Sequence, residues 1–369
     1  MPRIAHLTTV HRRTDTRIFQ KECRALAALT HHEIYLFVAD GEGGATVSGV
    51  NIVDVGKSSS RIKRFMVAGP RMVRAALKHR IDVVHFHDPE LIFIGLFLRL
   101  VGIKAIYDVH EDVPRDLLIK EYLPHWLRPM LSVTAEGVER CAAFFLTGIV
   151  AATPHIASRF PAPKTVVVYN YPLRAEFPEV ASVPYEDRPN HVCYVGTISE
   201  ARGILQLVAS MEHVTESAQL VVGGSFNTEE LEARAKSLAG WASVSYIGWV
   251  TRENLAQVLG EARAGIVTLL PTQTHLDSYP VKLFEYMAAG IPLIASDFPL
   301  WRDILAGIDC ARFVDPESPK EIAAAISWML NHPDEAAQMG LRGKEAILRS
   351  LNWDAEAEHL RQFYLEKIL

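Results

Sequence analysis

Short apolar segments that alternate with helical patterns run along almost the whole chain, and this alternation limits the fold more than any other feature. Glu33–Ala39, Ile81–Phe86 and Lys104–Val109 are largely apolar runs that end in polar residues. Such runs are typical of parallel strands that are covered on both faces. The alternation stops over Asn170–Asn190, which contains four prolines, and then resumes. The sequence therefore predicts an α/β fold with two doubly wound domains.

The length of 369 residues also fits two domains. We predict a first domain over residues 1–172, a linker over 173–190 and a second domain over 191–350. Residues 351–369 form a predicted helix with apolar side chains on one face, so this helix must dock on another part of the protein. In doubly wound domains ligands bind beyond the carboxyl ends of the strands, where the polar clusters of this sequence lie.

Composition excludes several classes of protein. With 49% hydrophobic and 22% charged residues the chain resembles an ordinary globular protein, not a disordered chain, a fibre or a disulfide scaffold. Its four cysteines are scattered and form no Cys-x-x-Cys pair, so we expect no zinc ribbon and a reducing compartment. The start of the chain resembles no signal peptide, and its apolar runs are shorter than the ~20 residues of a membrane span. We therefore expect a cytoplasmic protein.

The most informative stretch is Asp277–Asp297. We predict that a helix begins with Pro280 in its first turn and is capped by Asp277 or Ser278. Lys282 is unexpected in that turn, because a cation there opposes the helix dipole. A phosphate bound to the backbone N–H groups of Ser278–Val281 would remove this conflict.

Glu285 lies three residues after Lys282 on the same predicted helix. A phosphate at the helix start and a carboxylate one turn further along can together hold the diphosphate and the ribose hydroxyls of a nucleotide. Taken alone, Glu285 is better explained as a carboxylate on the helix surface. Its combination with Lys282 and with the strand that follows favours a nucleotide site.

Glu285 and the segment Met287–Ser296 resemble the donor-site helix and strand of the family 4 glycosyltransferases. Proteins of that family have the GT-B fold, in which two Rossmann-like domains face a cleft and a C-terminal helix crosses back to the first domain. They usually carry two glutamates with seven residues between them. Glu285 corresponds to the second glutamate, and Asp277 stands at the position of the first. The resemblance implies that Glu285 accepts the ribose hydroxyls and that Asp277 holds the donor sugar.

The segment Tyr194–Gly203 is similar to a loop of that family that carries an Arg and a Lys for the diphosphate. Arg202 stands at the Lys position, whereas Thr197 replaces the Arg, and we expect Lys282 to compensate. The resemblance implies a donor site that also includes Gly196, Thr197, Gly223, Gly248, Ser278 and Tyr279.

Two strand ends in the first domain, His85–Pro89 and His110–Pro114, resemble a pair of histidine-containing strand ends of the family. This resemblance places His110 at the donor sugar. We expect His85 to be a core histidine that strand alternation turns away from His87. The acceptor side would be formed by residues 112–125 and by His11, Arg13, Asp15, Arg17, His87 and Glu111.

Together these features imply a retaining glycosyltransferase that transfers a sugar from a nucleotide-diphosphate sugar to an acceptor. By the same resemblance the acceptor is a lipid-linked or surface polysaccharide intermediate, and closure of the two domains excludes water. The catalytic residues would be His110, Asp277, Arg202 and Lys282, with the two cations stabilising the departing diphosphate. The sequence contains no Asp-x-Asp, so we expect no metal ion, and no cofactor besides the donor substrate.

Positive charge is concentrated in the first half of the chain. Residues 1–180 carry a net charge of +5 and residues 181–369 one of −10, which suggests domains with different partners. The tract Arg61–Arg80 has seven Lys and Arg residues and no acid. It fits a solvated helix face or an anionic membrane surface, with an apolar side formed by Met66, Val67, Met72, Val73, Ala76 and Leu77. A peripheral membrane location is therefore one expectation. Nucleic acid is not expected as a partner, because aromatic and basic residues do not interleave.

Three other functions remain open at the level of sequence. A nucleotide-sugar epimerase of the same fold would convert the donor without an acceptor. A non-catalytic partner would bind a nucleotide sugar without turnover, which the departures at Thr197 and Asp277 allow. A metallohydrolase would use His85, His87 and His110, although their spacing matches no known metal-binding pattern.

Overall fold

The computed structural model describes residues 1–29, 31–57, 64–120, 123–174 and 183–369, without the side chains of Arg64, Phe65, Arg252 and Glu253. The chain forms two compact units. The first consists of Met1–Asn170 with Trp353–Leu369, and the second consists of Tyr171–Asn352. The second unit includes those residues of the predicted linker that the structure describes, whereas residues 175–182 of that linker lie outside the described residues.

The first unit is built on an eight-stranded sheet with the order β3-β4-β2-β1-β5-β6-β7-β8. Ile4 of the first strand pairs with Ile34 on one side and with Val83 on the other. Neighbouring strands are parallel except for the hairpin formed by the third and fourth strands. The strands are β1 (Arg3–Leu7), β2 (Glu33–Val38), β3 (Ala45–Val47), β4 (Val50–Asp54), β5 (Val83–Phe86), β6 (Lys104–Val109), β7 (Gly148–Ala151) and β8 (Thr165–Val167).

The second unit contains a six-stranded sheet in which neighbouring strands are all parallel, with the order β11-β10-β9-β12-β13-β14. Val192 of its central strand pairs with both Leu220 and Ala264. The strands are β9 (His191–Val195), β10 (Gln219–Gly223), β11 (Val244–Gly248), β12 (Ala264–Val267), β13 (Leu293–Ser296) and β14 (Ala311–Val314).

Helical segments connect the strands of both units. In the first unit they are Thr16–Cys23, Arg24–Ala27, Arg64–Ala68, Gly69–Lys78, Pro89–Leu91, Ile92–Leu100, Val113–Ile119, Leu127–Phe145, Pro154–Ala157, Ala162–Lys164, Trp353–Phe363 and Tyr364–Ile368. In the second unit they are Tyr185–Asp187, Glu200–Arg202, Ile204–Ser210, Met211–His213, Glu229–Ser237, Ala239–Ser243, Arg252–Glu261, Gln273–Leu276, Val281–Ala288, Pro299–Ile304, Pro319–Asn331 and Pro333–Arg349.

Each sheet has a separate hydrophobic core, to which its strands and the helices packed on it both contribute. In the first unit β5 and β7 are buried along their whole length. The rings of Phe86 and Tyr107 stack there with their centroids 4.9 Å apart. Full burial of an aliphatic or aromatic side chain contributes about 1.5–3 kcal/mol. The largely apolar composition of these strands therefore stabilises a sheet that is covered on both faces.

The C-terminal helix packs against the first unit. Phe363 lies so close to Gly148 that a side chain on the glycine would clash with its ring. The buried carboxylate of Glu356 accepts a hydrogen bond of 2.8 Å from the backbone N–H of Tyr169. The predicted α/β class, with two doubly wound domains and a helix that returns to the first, is confirmed. The short strands β3 and β14 were not predicted.

None of the helices within the described ranges combines the length and the apolar composition that a bilayer crossing requires.

Candidate active site

A pocket of about 320 Å³ opens in the first unit, where β1, β5 and β6 end. Parallel strands bring their carboxyl ends to one edge of the sheet, which is where ligands of doubly wound domains bind. Of the sequence-predicted residues, His11, His87, His110 and Glu111 line it, as do Val113, Asp116, Leu117 and Lys120 of the predicted segment 112–125. The other lining residues are Val10, Asp88, Pro89, Glu90, Tyr107 and Asp108.

The buried carboxylate of Asp108 organises the floor of this pocket. Arg17 binds both its oxygens, with Nε 3.0 Å from Oδ2 and Nη2 2.7 Å from Oδ1. Oδ2 also contacts Nδ1 of His87 at 2.9 Å and Nδ1 of His110 at 3.1 Å. Burial opposes the ionisation of Asp108, but the Arg17 charge and these hydrogen bonds hold its pKa well below the usual value.

His6, His85 and His87 form a stack of buried rings beneath the pocket. The centroids of His85 and His87 lie 5.0 Å apart, and Nδ1 of His6 lies 2.9 Å from Nε2 of His87. Burial lowers the pKa of all three rings. The expectation that His85 points away from His87 is wrong, because residues two apart in a strand share a face.

Three of the predicted acceptor-side residues have structural partners and do not line the pocket. Arg17 is buried against Asp108, and Arg13 forms two hydrogen bonds of 2.7 Å with Asp40. Asp15 caps the N-terminus of the helical segment Thr16–Cys23 by accepting N–H bonds of 2.9 Å. Charged side chains in a loop are as often used to hold the backbone as to hold a ligand, and sequence alone does not separate the two.

Sequence reasoning singled out neither of two further carboxylates of the pocket, although Asp116 lies within the predicted acceptor segment 112–125. Asp88 is buried and accepts a 2.9 Å hydrogen bond from the hydroxyl of Thr9. Asp116 has its pKa raised to about 6 by burial and by the neighbouring Glu111. The position of Asp88 directly after β5 and His87 was a usable signal, whereas Asp116 lies inside a helix.

The donor helix of the second unit spans Val281–Ala288. Its start differs from the prediction, because Pro280 occupies the N-cap position and no side chain caps the helix. Ser278 instead donates its hydroxyl to the carbonyl of His275 at 2.8 Å. Asp277, which is exposed, ends the preceding one-turn helix Gln273–Leu276. Of the proposed N–H donors, Pro280 has none and that of Ser278 bonds to the same His275 carbonyl.

Lys282 lies under the loop that follows β9. Its Nζ is buried without a hydrogen-bond partner in the part of the chain that the structure describes, and it lies 4.5 Å from the ring centroid of Tyr194. A Cβ atom on Gly196, whose φ is +143°, would clash with this amine. Burial and the charge of Arg202 lower the pKa of Lys282 from the ordinary 10.5 to about 7.

The remaining donor-side candidates lie around the carboxyl ends of β9, β10 and β11. Gly224 packs against the backbone of Gly196, so close that a side chain there would clash. Glu285 is half-buried one turn after Lys282. Gly223 and Gly248 end their strands. Arg202 and Tyr279 are half-buried, whereas Thr197 is exposed.

The basic tract also differs from its prediction. Residues 61–63 lie outside the described residues. On the helix Gly69–Lys78, Met72 and Ala76 are fully buried and Val73 packs partly buried against the core, so half of the predicted apolar side faces the protein interior. The other half, Met66, Val67 and Leu77, is 64%, 37% and 53% exposed.

Doubly wound α/β domains of this kind bind ligands, nucleotides among them, beyond the carboxyl ends of their strands. The comparisons with known sequences narrow this class. Residues 179–346 match the family described as "Glycosyl transferases group 1", and residues 16–171 match the "Glycosyl transferase 4-like domain". The chain is 27% identical over 285 residues to D-rhamnosyltransferase WbpZ of Pseudomonas aeruginosa. The aligned region covers 73% of this chain and 69% of that protein.

A second curated relative is the phosphatidyl-myo-inositol mannosyltransferase of Mycobacterium tuberculosis, with 24% identity over 328 residues, 86% of this chain and 83% of that protein. Sucrose-phosphate synthase from Thermosynechococcus elongatus has the same fold, with a TM-score of 0.75, 19% identity and 99% of each chain covered. HepE of Anabaena, in complex with UDP and glucose, has a TM-score of 0.74 at 12% identity, with 98% of this chain and 99% of that chain covered.

The chain belongs to the GT-B glycosyltransferases of the family 4 type. It is an enzyme, a glycosyltransferase that uses a nucleotide-sugar donor.

Proposed function

We propose that this glycosyltransferase retains the configuration of the donor sugar, and that it acts without a metal ion on a lipid-linked or surface glycan acceptor. The observation that carries the donor half of the proposal is the amine of Lys282. It is buried beside Gly196, lies over the ring of Tyr194, and has no hydrogen-bond partner within the described residues. A buried unpaired amine is costly, and the diphosphate of a nucleotide sugar would supply its missing partner.

Each donor-side residue then has a chemical task. Lys282 and Arg202 stabilise the negative charge that develops on the departing diphosphate, which is the role a metal ion fills in other enzymes. Glu285 accepts the hydroxyls of the ribose, and Asp277 accepts those of the donor sugar. Because Thr197 stands where the family has an Arg, that position carries no positive charge. Lys282 therefore supplies the second positive charge for the diphosphate, beside Arg202.

The pocket of the first unit suits a ligand rich in hydroxyl groups. Its polar lining includes the carboxylates of Asp88, Glu90, Glu111 and Asp116 beside His110. Carboxylates accept hydrogen bonds and repel anions, so sugar hydroxyls fit this pocket better than phosphates do. The mannosyltransferase relatives are named for phosphatidyl-myo-inositol, and this supports an acceptor with a polyol headgroup on a lipid.

The test of the donor site is a thermal-shift screen against UDP, GDP, ADP and their sugar conjugates, with and without chelator. A ligand that binds only the native state raises its stability. We expect one nucleoside diphosphate to raise the melting temperature equally in both conditions.

The anomeric configuration of the product, read by NMR from a reaction with that donor, tests retention. A shift that chelator abolishes would refute the metal-independent site, and an inverted product would refute retention.

We also propose a peripheral contact between the first unit and an anionic membrane. Two helices that pack on each other expose apolar side chains at helical spacing. Phe93, Phe97 and Leu100 of Ile92–Leu100 are 56%, 47% and 85% exposed. Met130, Val133 and Phe144 of Leu127–Phe145 are 60%, 72% and 72% exposed. The same two helices carry the exposed Arg99 and Arg140. Exposed apolar side chains on a surface that also carries basic ones are typical of proteins that bind at the lipid interface.

Flotation with liposomes of neutral or anionic lipid tests the membrane contact. We expect the protein to float with anionic vesicles and to lose this with the double substitution Phe97→Ser and Leu100→Ser. The matched control replaces two exposed leucines of the second unit, Leu341→Ser and Leu348→Ser. Equal flotation of the wild type with neutral and anionic vesicles would refute the electrostatic part of the proposal.

A further inference from the structure

The carboxylate of Asp108 determines which nitrogen of each neighbouring histidine carries a proton. An ionised carboxylate only accepts hydrogen bonds. Both His87 and His110 approach Oδ2 through Nδ1, at 2.9 and 3.1 Å. Each ring must therefore hold its proton on Nδ1, which leaves Nε2 as the unprotonated nitrogen of the neutral ring.

The same logic extends one ring deeper into the protein. Because Nε2 of His87 is unprotonated, the 2.9 Å contact with Nδ1 of His6 requires His6 to donate. Desolvation by burial, followed by the charges of neighbouring histidines, lowers the pKa of His6, which keeps this ring neutral. The hydrogen bonds thus run in one direction, from His6 through His87 to Asp108. No alternative set of tautomers satisfies all three contacts.

Arg17 makes this arrangement rigid. Its two hydrogen bonds to Asp108, at 2.7 and 3.0 Å, fix the plane of the carboxylate, as bidentate pairs of this type do. Arg17 also lies 3.1 Å from Glu22. The guanidinium therefore lies against two buried carboxylates, Asp108 and Glu22, where it would repel a bound divalent cation.

His87, Asp108 and His110 all line the pocket, and of these three side chains only that of His110 is exposed to solvent. Its side chain is 17% exposed, whereas those of His87 and Asp108 are fully buried. With Nδ1 held by Asp108, the nitrogen that remains for a ligand is Nε2. An unprotonated Nε2 accepts a hydrogen bond and cannot donate one.

We propose that Asp108 is a positioning residue that locks His110 in the Nδ1–H tautomer, so that His110 accepts a hydrogen bond from a sugar hydroxyl through Nε2. This inference rests on the proposed function of the pocket. It specifies the chemistry of the ligand at that point as a neutral hydroxyl donor, in place of a phosphate oxygen.

The tautomer is measured directly on the wild-type protein. Nitrogen-15 NMR of ring-labelled histidine at alkaline pH distinguishes a protonated from an unprotonated ring nitrogen, and His110→Gln assigns the resonance. We expect Nδ1 of His110 to carry the proton and Nε2 to have the shift of an unprotonated nitrogen. A neutral ring with the proton on Nε2 would overturn the proposal. This measurement needs neither turnover nor donor, so its failure is distinct from a failure of the proposed function.

Kinetics of Asp108→Asn test the consequence for transfer. The substitution replaces the negatively charged carboxylate with a neutral amide, which can donate an N–H bond as well as accept one. His110 therefore loses its preference for the tautomer with the proton on Nδ1. We expect kcat of the folded variant to fall about 10²-fold, while its dissociation constant for the nucleoside diphosphate, which binds in the second unit, stays within two-fold. A folded variant with normal kcat would overturn the proposal.

Glu356→Gln is the matched control, because it also neutralises a buried carboxylate of the first unit. A purely structural role for Asp108 would make the two variants alike, with lower stability and an unchanged kcat. If Asp108→Asn leaves Arg17 unpaired and does not fold, the tautomer of the wild-type ring decides the question.

Discussion

Nucleotide binding should be coupled to proton uptake at Lys282. The pKa of this buried lysine is lowered from 10.5 to about 7. Near pH 8, therefore, only about 0.1 of the Lys282 amines of the free enzyme are protonated. A bound diphosphate favours the charged amine and should raise this pKa again. We expect each nucleoside diphosphate that binds near pH 8 to take up about 0.9 proton.

The same shift predicts how the stability of the second unit depends on pH. A lysine with a depressed pKa binds more protons in the unfolded chain, so the free energy of unfolding rises with pH between about 7 and 10.5. The full difference amounts to about 5 kcal/mol. Lys282→Met should abolish this rise without lowering the stability at neutral pH, because it replaces a charge that is costly to bury with an apolar chain.

The assay is isothermal titration calorimetry of the nucleoside diphosphate in buffers with different ionisation enthalpies. Wild-type protein should show a binding enthalpy that depends on the buffer, whereas Lys282→Met should show none. We also expect Lys282→Met to bind about 10- to 150-fold more weakly, which corresponds to the 1.5–3 kcal/mol of a charged hydrogen bond. Lys236→Met is the control, since Lys236 lies on an exposed helix of the same unit, paired with Glu232. Buffer-independent binding by the wild type, with unchanged affinity in Lys282→Met, would refute the reasoning.

Three further predictions concern the same site. Glu285→Gln should weaken nucleotide binding by about 1.5–3 kcal/mol in calorimetry, and an unchanged dissociation constant would remove Glu285 from the ribose site. Gly196→Ala should weaken nucleotide binding more than it lowers the free energy of unfolding, because its Cβ would displace the Lys282 amine. The control Gly307→Ala, at a glycine with φ +73° and open space around it, should bind the nucleotide normally. Equal nucleotide affinity of the two variants would contradict this prediction. Adding Thr197→Arg to Lys282→Met should restore at least part of the lost affinity, and a double variant no better than Lys282→Met alone would argue that the two positions serve different groups.

The donor helix shows how far local sequence signals reach. The spacing of the apolar residues and Gly290, which follows them, predict a helix that ends near this glycine. The structure has a helix over Val281–Ala288. The cap was predicted wrongly because residues before Pro280 form a separate turn of helix, over Gln273–Leu276. That turn uses the Ser278 hydroxyl for its own C-terminus. A cap residue is predicted from the few residues around the start of a helix. Where a second helix ends within those residues, the same polar side chain can serve either helix, and the sequence does not show which one.

The histidine network could not be predicted in the same way, because its contacts join residues far apart in the chain. Arg17 meets Asp108 across 91 positions, and His85 meets Tyr364 of the C-terminal helix across 279. Parallel strand order decides these contacts, and an apolar run does not reveal which strands become neighbours. The sequence does place histidines at the carboxyl ends of β5 and β6, so the location of the pocket was predictable while its hydrogen bonds were not.

The loop after β9 gives a physical reason for a departure that the sequence alone leaves unexplained. Thr197 places no cation where the family pattern has an Arg, and the residue before it is a glycine with a backbone conformation that side chains rarely adopt. The space that a side chain at Gly196 would fill is occupied by the amine of Lys282, which arrives from the helix beneath. A positive charge therefore reaches the same loop from a different element. Because the amine has no hydrogen-bond partner within the described residues, it is available to bind an anion, whereas a lysine in a surface ion pair would not be.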